Sequence, residues 1–119
     1  MLIQNISNHI EKGGILILTT PNPSSSKNTL SLFLKGQLYA FQDKHLLEHH
    51  VFTPWEHIVK FFLQNSGFEI LEYAIVDTDY KILDNPSIKD FVKRKIESFI
   101  EFRNPKSKGF SYGIVARKI

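Results

Sequence analysis

The chain has 119 residues, of which 42% are hydrophobic, 13% aromatic and 23% charged, with a formal net charge of +3 and no cysteine. This length and composition fit one domain over residues 1–119 with a single core, and exclude a disordered chain or a coiled coil. The lack of cysteine excludes disulfides, thiolate catalysis and every cysteine-ligated metal site.

No apolar run reaches the roughly 20 residues that span a bilayer, and the longest, Gly14 to Leu18, is strand-sized. The stretch from Met1 to Lys12 lacks the basic-then-apolar order of a secretory signal, so a cytoplasmic location is expected. Charge is unevenly spread. Residues 1–80 carry five Lys/Arg against eight Asp/Glu, a net of −3, whereas residues 81–119 carry ten against four, a net of +6. A basic C-terminal third could follow phosphates or an anionic membrane surface; a solvated helix face plus a charged tail is the simpler explanation. Nothing resembles a groove-reading motif, so no nucleic-acid partner is expected.

In chain order, Leu2, Ile3, Ile6 and Ile10 recur at helical spacing until Gly13-Gly14 ends the pattern. Ile15 to Thr20 is apolar and β-branched without polar alternation, which predicts a strand covered on both faces. Pro21-Asn22-Pro23 ends it, since proline donates nothing to a ladder. Ser24-Ser25-Ser26 reads as a loop or cap before a short helix over Leu30 to Leu34, closed by Gly36. Gln37 to Phe52 reads as a long surface loop, of a length more often functional than merely connecting.

Thr53-Pro54-Trp55-Glu56 has the pattern of a capping box with Pro54 at the first helical position. Trp55, Ile58, Val59, Phe62 and Leu63 then form the buried stripe of a helix near 54–66, and Gly67 supplies its left-handed end. Strands are predicted near 14–20, 68–76 and 109–117. A second helix is predicted near 86–102, with Ile88, Phe91, Val92, Ile96 and Phe99 on one face and Lys89, Lys93, Arg94 and Lys95 outside. Helices alternating with strands predict an α/β layered domain, and three strands make a thin sheet for it.

Two blocks carry a family resemblance. Glu11 to Asn22, running Glu-Lys-Gly-Gly-Ile-Leu-Ile-Leu-Thr-Thr-Pro-Asn, resembles the turn and fifth strand of class I S-adenosylmethionine-dependent methyltransferases. The proline usual in that turn is absent, because Lys12 is followed directly by Gly13. His50-Val51-Phe52-Thr53-Pro54-Trp55-Glu56, followed by Asn65-Ser66-Gly67-Phe68, resembles the segment that carries the last helix of that family into its sixth strand. Leu34 to Phe41 resembles an insertion of members acting on cell-surface glycans and small molecules. The resemblance implies a partial Rossmann-like methyltransferase sheet, strands five to seven, flanked by helices. Its last strand would lie antiparallel between the other two.

The family holds its cofactor with a Gly-x-Gly-x-Gly turn after strand one and an acid after strand two. Neither precedes Gly13, so no cofactor-binding residue is assigned. S-adenosylmethionine is expected for the complete domain and not for this chain alone. The implied function is the acceptor-substrate side of a methyltransferase, inactive by itself; the alternative is a non-enzymatic association module that retains the half-fold.

His50 matches the family's substrate-side histidine and could accept a proton from a hydroxyl nucleophile, or could simply hold the loop to the helix. Tyr39, Phe41 and Phe52 could line a pocket for a small-molecule or glycan acceptor, or pack the loop. Asn22 lies where the resemblance puts the active-site mouth, and is equally suited to a turn. His45 and His49 have ligand spacing, yet no metal site is assigned because little acidic support surrounds them. In the complete fold the Ile15–Thr20 strand would be internal. Left as an edge, it is expected to recruit a complementary N-terminal half or a second copy as a homodimer.

Overall fold

The computed structural model describes residues 2–39, 54–78 and 87–119. Its elements are α1 (Leu2–His9), β1 (Ile15–Pro21), α2 (Ser26–Lys35), α3 (Glu56–Asn65), β2 (Phe68–Val76), α4 (Ile88–Arg103), a 3-10 turn (Pro105–Ser107) and β3 (Ser111–Lys118). The strands form one sheet in the order β1-β3-β2, with β3 antiparallel to both neighbours. β1 and β2 therefore run the same way without touching, and β3 closes the gap between them. This is the mixed α/β, partial Rossmann-like arrangement that the resemblance implies.

Register explains the core. Leu16, Leu18 and Thr20 stand opposite Ala116, Ile114 and Tyr112, so their side chains share a face of the sheet. On the other side, Ile70, Tyr73 and Ile75 stand opposite Ala116, Ile114 and Tyr112. A bulge between Ile70 and Glu72 shifts the alternation by one residue, which keeps Tyr73 and Ile75 on the face that Ile70 started. Val59 and Leu63 of α3 cover this face, with Ile3 and Ile10 from the α1 region packed beside them. Leu63, Tyr112 and Ile114 are fully buried.

α3 ends on Gly67, whose φ of 82° favours glycine, and the Gly67 carbonyl accepts the Ile119 amide. Ser66 ties three elements together here. Its carbonyl accepts from the Ser7 hydroxyl at 2.7 Å and from the Lys118 ammonium at 2.9 Å.

Three expectations are corrected. First, β1 is covered on one face only: Ile15, Ile17 and Thr19 point to the opposite side and are exposed, Ile17 by 70%. Its lack of polar alternation reflects apolar side chains on both faces, and only one face has a packing partner among the described residues. Second, the helix near 86–102 forms as α4 and packs on α2 and the 3-10 turn. Its apolar face is outward: Ile88, Phe91, Val92, Ile96 and Phe99 are exposed, while Lys93 and Arg94 are half-buried and Glu97 is buried. Third, the helix expected from Pro54 begins at Glu56, with exposed Trp55 as a cap residue that makes no side-chain cap bond. Thr53 lies outside the described residues. Glu56 is turned toward Lys106, Lys60 and Tyr73.

A matched pair of variants tests the one-sided core. Leu63→Ala should lower unfolding free energy by about 2–5 kcal/mol, whereas Ile17→Ala should change it by less than about 0.5 kcal/mol. Urea denaturation followed by circular dichroism measures both.

Candidate functional site at the carboxyl end of the sheet

The carboxyl ends of β1 and β2 meet the start of β3, where Pro21 and Val76 both stand opposite Ser111. Two clefts share Thr19 and Thr20 at this end. One, of about 430 Å³, is an apolar slot between α1, β1 and α3, with Leu2, Ile3, Leu18, Ile58, Val59 and Phe62 among its walls. The other, of about 360 Å³, lies over Pro21, Val76, Asp77 and Ser111. The first suits an aliphatic or aromatic group, with the two threonine hydroxyls as its polar side chains.

Asn22 sits at this mouth, but its side chain is committed to the scaffold. Its amide nitrogen donates to the carbonyls of Lys106 at 2.8 Å and Gly109 at 2.9 Å, and its side-chain oxygen accepts the Ser24 amide at 3.1 Å. The residue is 3% exposed. Its own carbonyl accepts from the Asn28 side chain, and its amide donates to the Phe110 carbonyl. The amide side chain thus pins the exit of β1 to the entrance of β3. Gly109 completes the junction, because a Cβ there would collide with Ile75 and the Val76 carbonyl.

Tyr39 reaches the same junction from the end of α2. Its ring stacks on Phe110 at 5.9 Å between centroids, and the Lys27 ammonium lies 4.3 Å from the Tyr39 ring. The structure therefore brings both residues to Phe110, Asn22 through its backbone amide and Tyr39 through its ring. His50, Phe41 and Phe52 lie outside the described residues, as do His45 and His49.

A charged cluster at the start of α3 went unread in the sequence. Glu56 pairs with Lys106 and, at 3.4 Å, with Lys60, and it hydrogen-bonds Tyr73. The Lys60 ammonium also lies 4.2 Å from the centre of the Tyr73 ring. Partial burial opposes ionisation of Glu56. The hydrogen bonds from Lys106 and Tyr73 and the charge of Lys60 outweigh it, so its carboxyl is held below the usual glutamate range. Burial, then the Glu56 hydrogen bond, raises the Tyr73 phenol. Burial raises the Tyr112 phenol too, and its hydroxyl donates to the Pro54 carbonyl at 2.8 Å. At neutral pH this arrangement is a fixed carboxylate beside neutral phenols. It locks α3 to the sheet and offers no ready general base. The pattern hid because Glu56 also satisfies a capping motif and Lys106 is 50 residues distant.

S-adenosylmethionine requires donors for its carboxylate, an acid for its ribose hydroxyls and backbone free to approach it. The apolar slot has no charged wall residue, and β1 leaves it through Pro21-Asn22-Pro23 rather than a glycine turn. The apolar slot therefore does not fit that cofactor. Among them no group of three His, Cys, Asp or Glu converges as a metal site.

No family model matches the chain, and no curated protein does. Among solved structures it is similar to a SAM-dependent methyltransferase from Archaeoglobus fulgidus, at 19% identity and a TM-score of 0.55. The match covers 98% of this chain and 50% of the other, so the chain spans half the length of that neighbour. The likeness defines the fold class: part of a methyltransferase-like α/β domain.

Two variants probe the site. Asn22→Ala removes the donor to the buried Gly109 carbonyl and to the part-buried Lys106 carbonyl and should cost about 2 kcal/mol, read by thermal unfolding. The Glu56 carboxyl is depressed in the folded state. Its contribution is therefore full above the ordinary value of 4.5 and fades as pH falls through the lower folded value. Glu56→Gln should be less stable than the parent at pH 7 by up to about 1 kcal/mol. The two stabilities should converge in acid, as measured by urea titrations across pH.

Proposed function

We propose that this chain is the carboxyl-terminal, acceptor-side portion of an S-adenosylmethionine-dependent methyltransferase domain. In this reading a complementary portion holds the cofactor and seats against the outer edge of β1. The observation that carries it is the sheet itself. The β1-β3-β2 order with an antiparallel middle strand lies over half of a methyltransferase fold, and β1 is left at the edge with Ile15 and Ile17 exposed.

The alternation that begins with Lys118 donating to the Gly14 carbonyl turns the amides of Leu16, Leu18 and Thr20 toward β3. Those of Ile15, Ile17 and Thr19 face outward, with no strand beside them among the described residues. A neighbouring strand would satisfy them, and a further layer would cover the two isoleucines. The apolar slot beside α1 and α3 suits an uncharged part of an acceptor, while His50, Phe41 and Phe52 are proposed to complete the acceptor side with Tyr39. Asn22 supports that wall from behind. Small molecules and glycans are the acceptor classes of this proposal, and a soluble setting accords with the described helices, none of which is long and apolar enough to cross a membrane.

Calorimetry tests the reading. The isolated chain should show no saturable S-adenosylmethionine binding. Co-expressed with a polypeptide supplying the first four strands of the domain, it should form a stoichiometric complex that binds the cofactor. Ile17→Lys should weaken that complex by about tenfold or more, because the ammonium would be buried without a partner. Saturable cofactor binding by the isolated chain, or a complex indifferent to Ile17→Lys, contradicts the proposal.

A further inference from the structure

α4 is amphipathic in the reverse of the usual sense. Ile88, Val92, Lys95, Phe99 and Phe102 follow spacings of three and four residues, so they line one side over the whole helix. Ile88 is 85% exposed, Phe99 65% and Phe102 82%, with Phe91 and Ile96 open beside them. The opposite side meets α2, where Glu97 is buried and the Ser26 hydroxyl donates to Glu101 at 2.9 Å.

Charge divides in the same way. Of the three acids of α4, Glu97 is buried, Glu101 is half-buried and Asp90 is engaged in the cap with Ser87, whereas Lys89, Lys95 and Arg103 are exposed. Lys108 continues the exposed basic character beyond the helix, whereas Lys106 is paired with Glu56. The outward face is thus phenylalanine and isoleucine interleaved with cations alone. Ser87 and Asp90 form a reciprocal capping box, so the helix start is secured without help from that face.

We infer that the outward face of α4 docks on an anionic lipid surface, lying in the plane of the interface rather than crossing it. Aromatic and branched side chains enter the headgroup boundary, and the lysine and arginine stems reach back to lipid phosphates. Charge complementarity selects this occupant over a second copy. Two copies of α4 paired about a two-fold axis would set Lys95 near Lys95 at the centre, and Lys89 near Arg103 at both ends. Like charges would then oppose at the centre and at both ends of the contact. The surface is a convex ridge on one helix, which a fluid interface accommodates without a preformed groove.

The test is sedimentation of the chain with phosphatidylcholine vesicles, with and without phosphatidylglycerol, at low and high salt. Binding should require phosphatidylglycerol and weaken as salt rises. Phe99→Glu with Phe102→Glu should reduce it about tenfold or more, as should joint replacement of Lys89, Lys95 and Arg103 by Glu. All of these side chains are exposed, and circular dichroism checks that each variant keeps its helices. The charge-reversed variant leaves the apolar stripe intact, so it keeps the inference falsifiable if the phenylalanine variant unfolds.

No binding to anionic vesicles overturns the inference, as does equal binding to neutral ones or indifference to charge reversal. Concentration-dependent self-association abolished by the phenylalanine variant also overturns it, by showing that a second copy covers the face. None of these readouts involves S-adenosylmethionine, so this inference and the methyltransferase reading stand or fall separately.

Discussion

The pairing of β3 with two strands that never touch each other is the constraint on which the rest of the molecule depends. β3 is the last strand in the chain, yet it occupies the centre of the sheet. Tyr112, Ile114 and Ala116 on it are essentially fully buried, and every layer of the core includes one of them. Because β1 and β2 lie more than 30 residues upstream, the sheet forms only through long-range closure, a costly and slow kind of contact. The side-chain clamps accordingly gather at the two ends of β3. At one end Asn22 and Gly109 bind its entrance to the exit of β1. At the other, Lys118 reaches Ser7 and Ser66, so that α1 and the end of α3 are fixed to the same strand.

The carboxyl end of the sheet owes its form to the first of these clamps. A buried polar group set, Asn22, Ser25, Asn28 and Ser107, occupies the junction where hydrophobic side chains might be expected. The Ser25 hydroxyl accepts the Asn28 amide to start α2, and the Asn28 side chain returns to the Asn22 carbonyl. Each backbone group freed by the prolines on either side of Asn22 needs such a partner. The outcome is a rigid rim under the two clefts, with Tyr39 stacked on Phe110 at its edge. Rigidity of that kind suits a wall that positions a bound group more than residues that react with it.

Much of this was legible in the residues. The three strands, the helix before Phe68 and the antiparallel insertion of the last strand follow from apolar runs, glycine stops and the two family-like blocks. Three features escaped for physical reasons. Periodicity reports that a face is apolar and cannot report whether anything lies against it. That is why Ile15 to Thr20 read as a strand covered on both sides and the stripe of α4 read as buried. The bulge near Leu71 changes the alternation of β2 without any glycine or proline to mark it. Asn22 between two prolines suited a mouth residue equally well, and only the position of residues some 85 places away shows its amide to be committed. The chemistry expected of His50 and its aromatic neighbours depends on residues outside those described.

The exposed apolar side chains of β1 and of α4 differ in kind. On β1 they accompany backbone groups that need a strand, whereas on α4 they accompany cations and a helix whose backbone is already satisfied. In the proposed reading the first is the seam of a larger sheet and the second is a docking surface in its own right. Residue-resolved amide hydrogen exchange on dilute chain reads the outer edge of β1 amide by amide. The account expects strong protection at Leu16, Leu18 and Thr20, which face β3, and little at Ile15, Ile17 and Thr19. Uniform protection of all six in a chain that light scattering finds monomeric would contradict it, because the outer edge of β1 would then already have its partner.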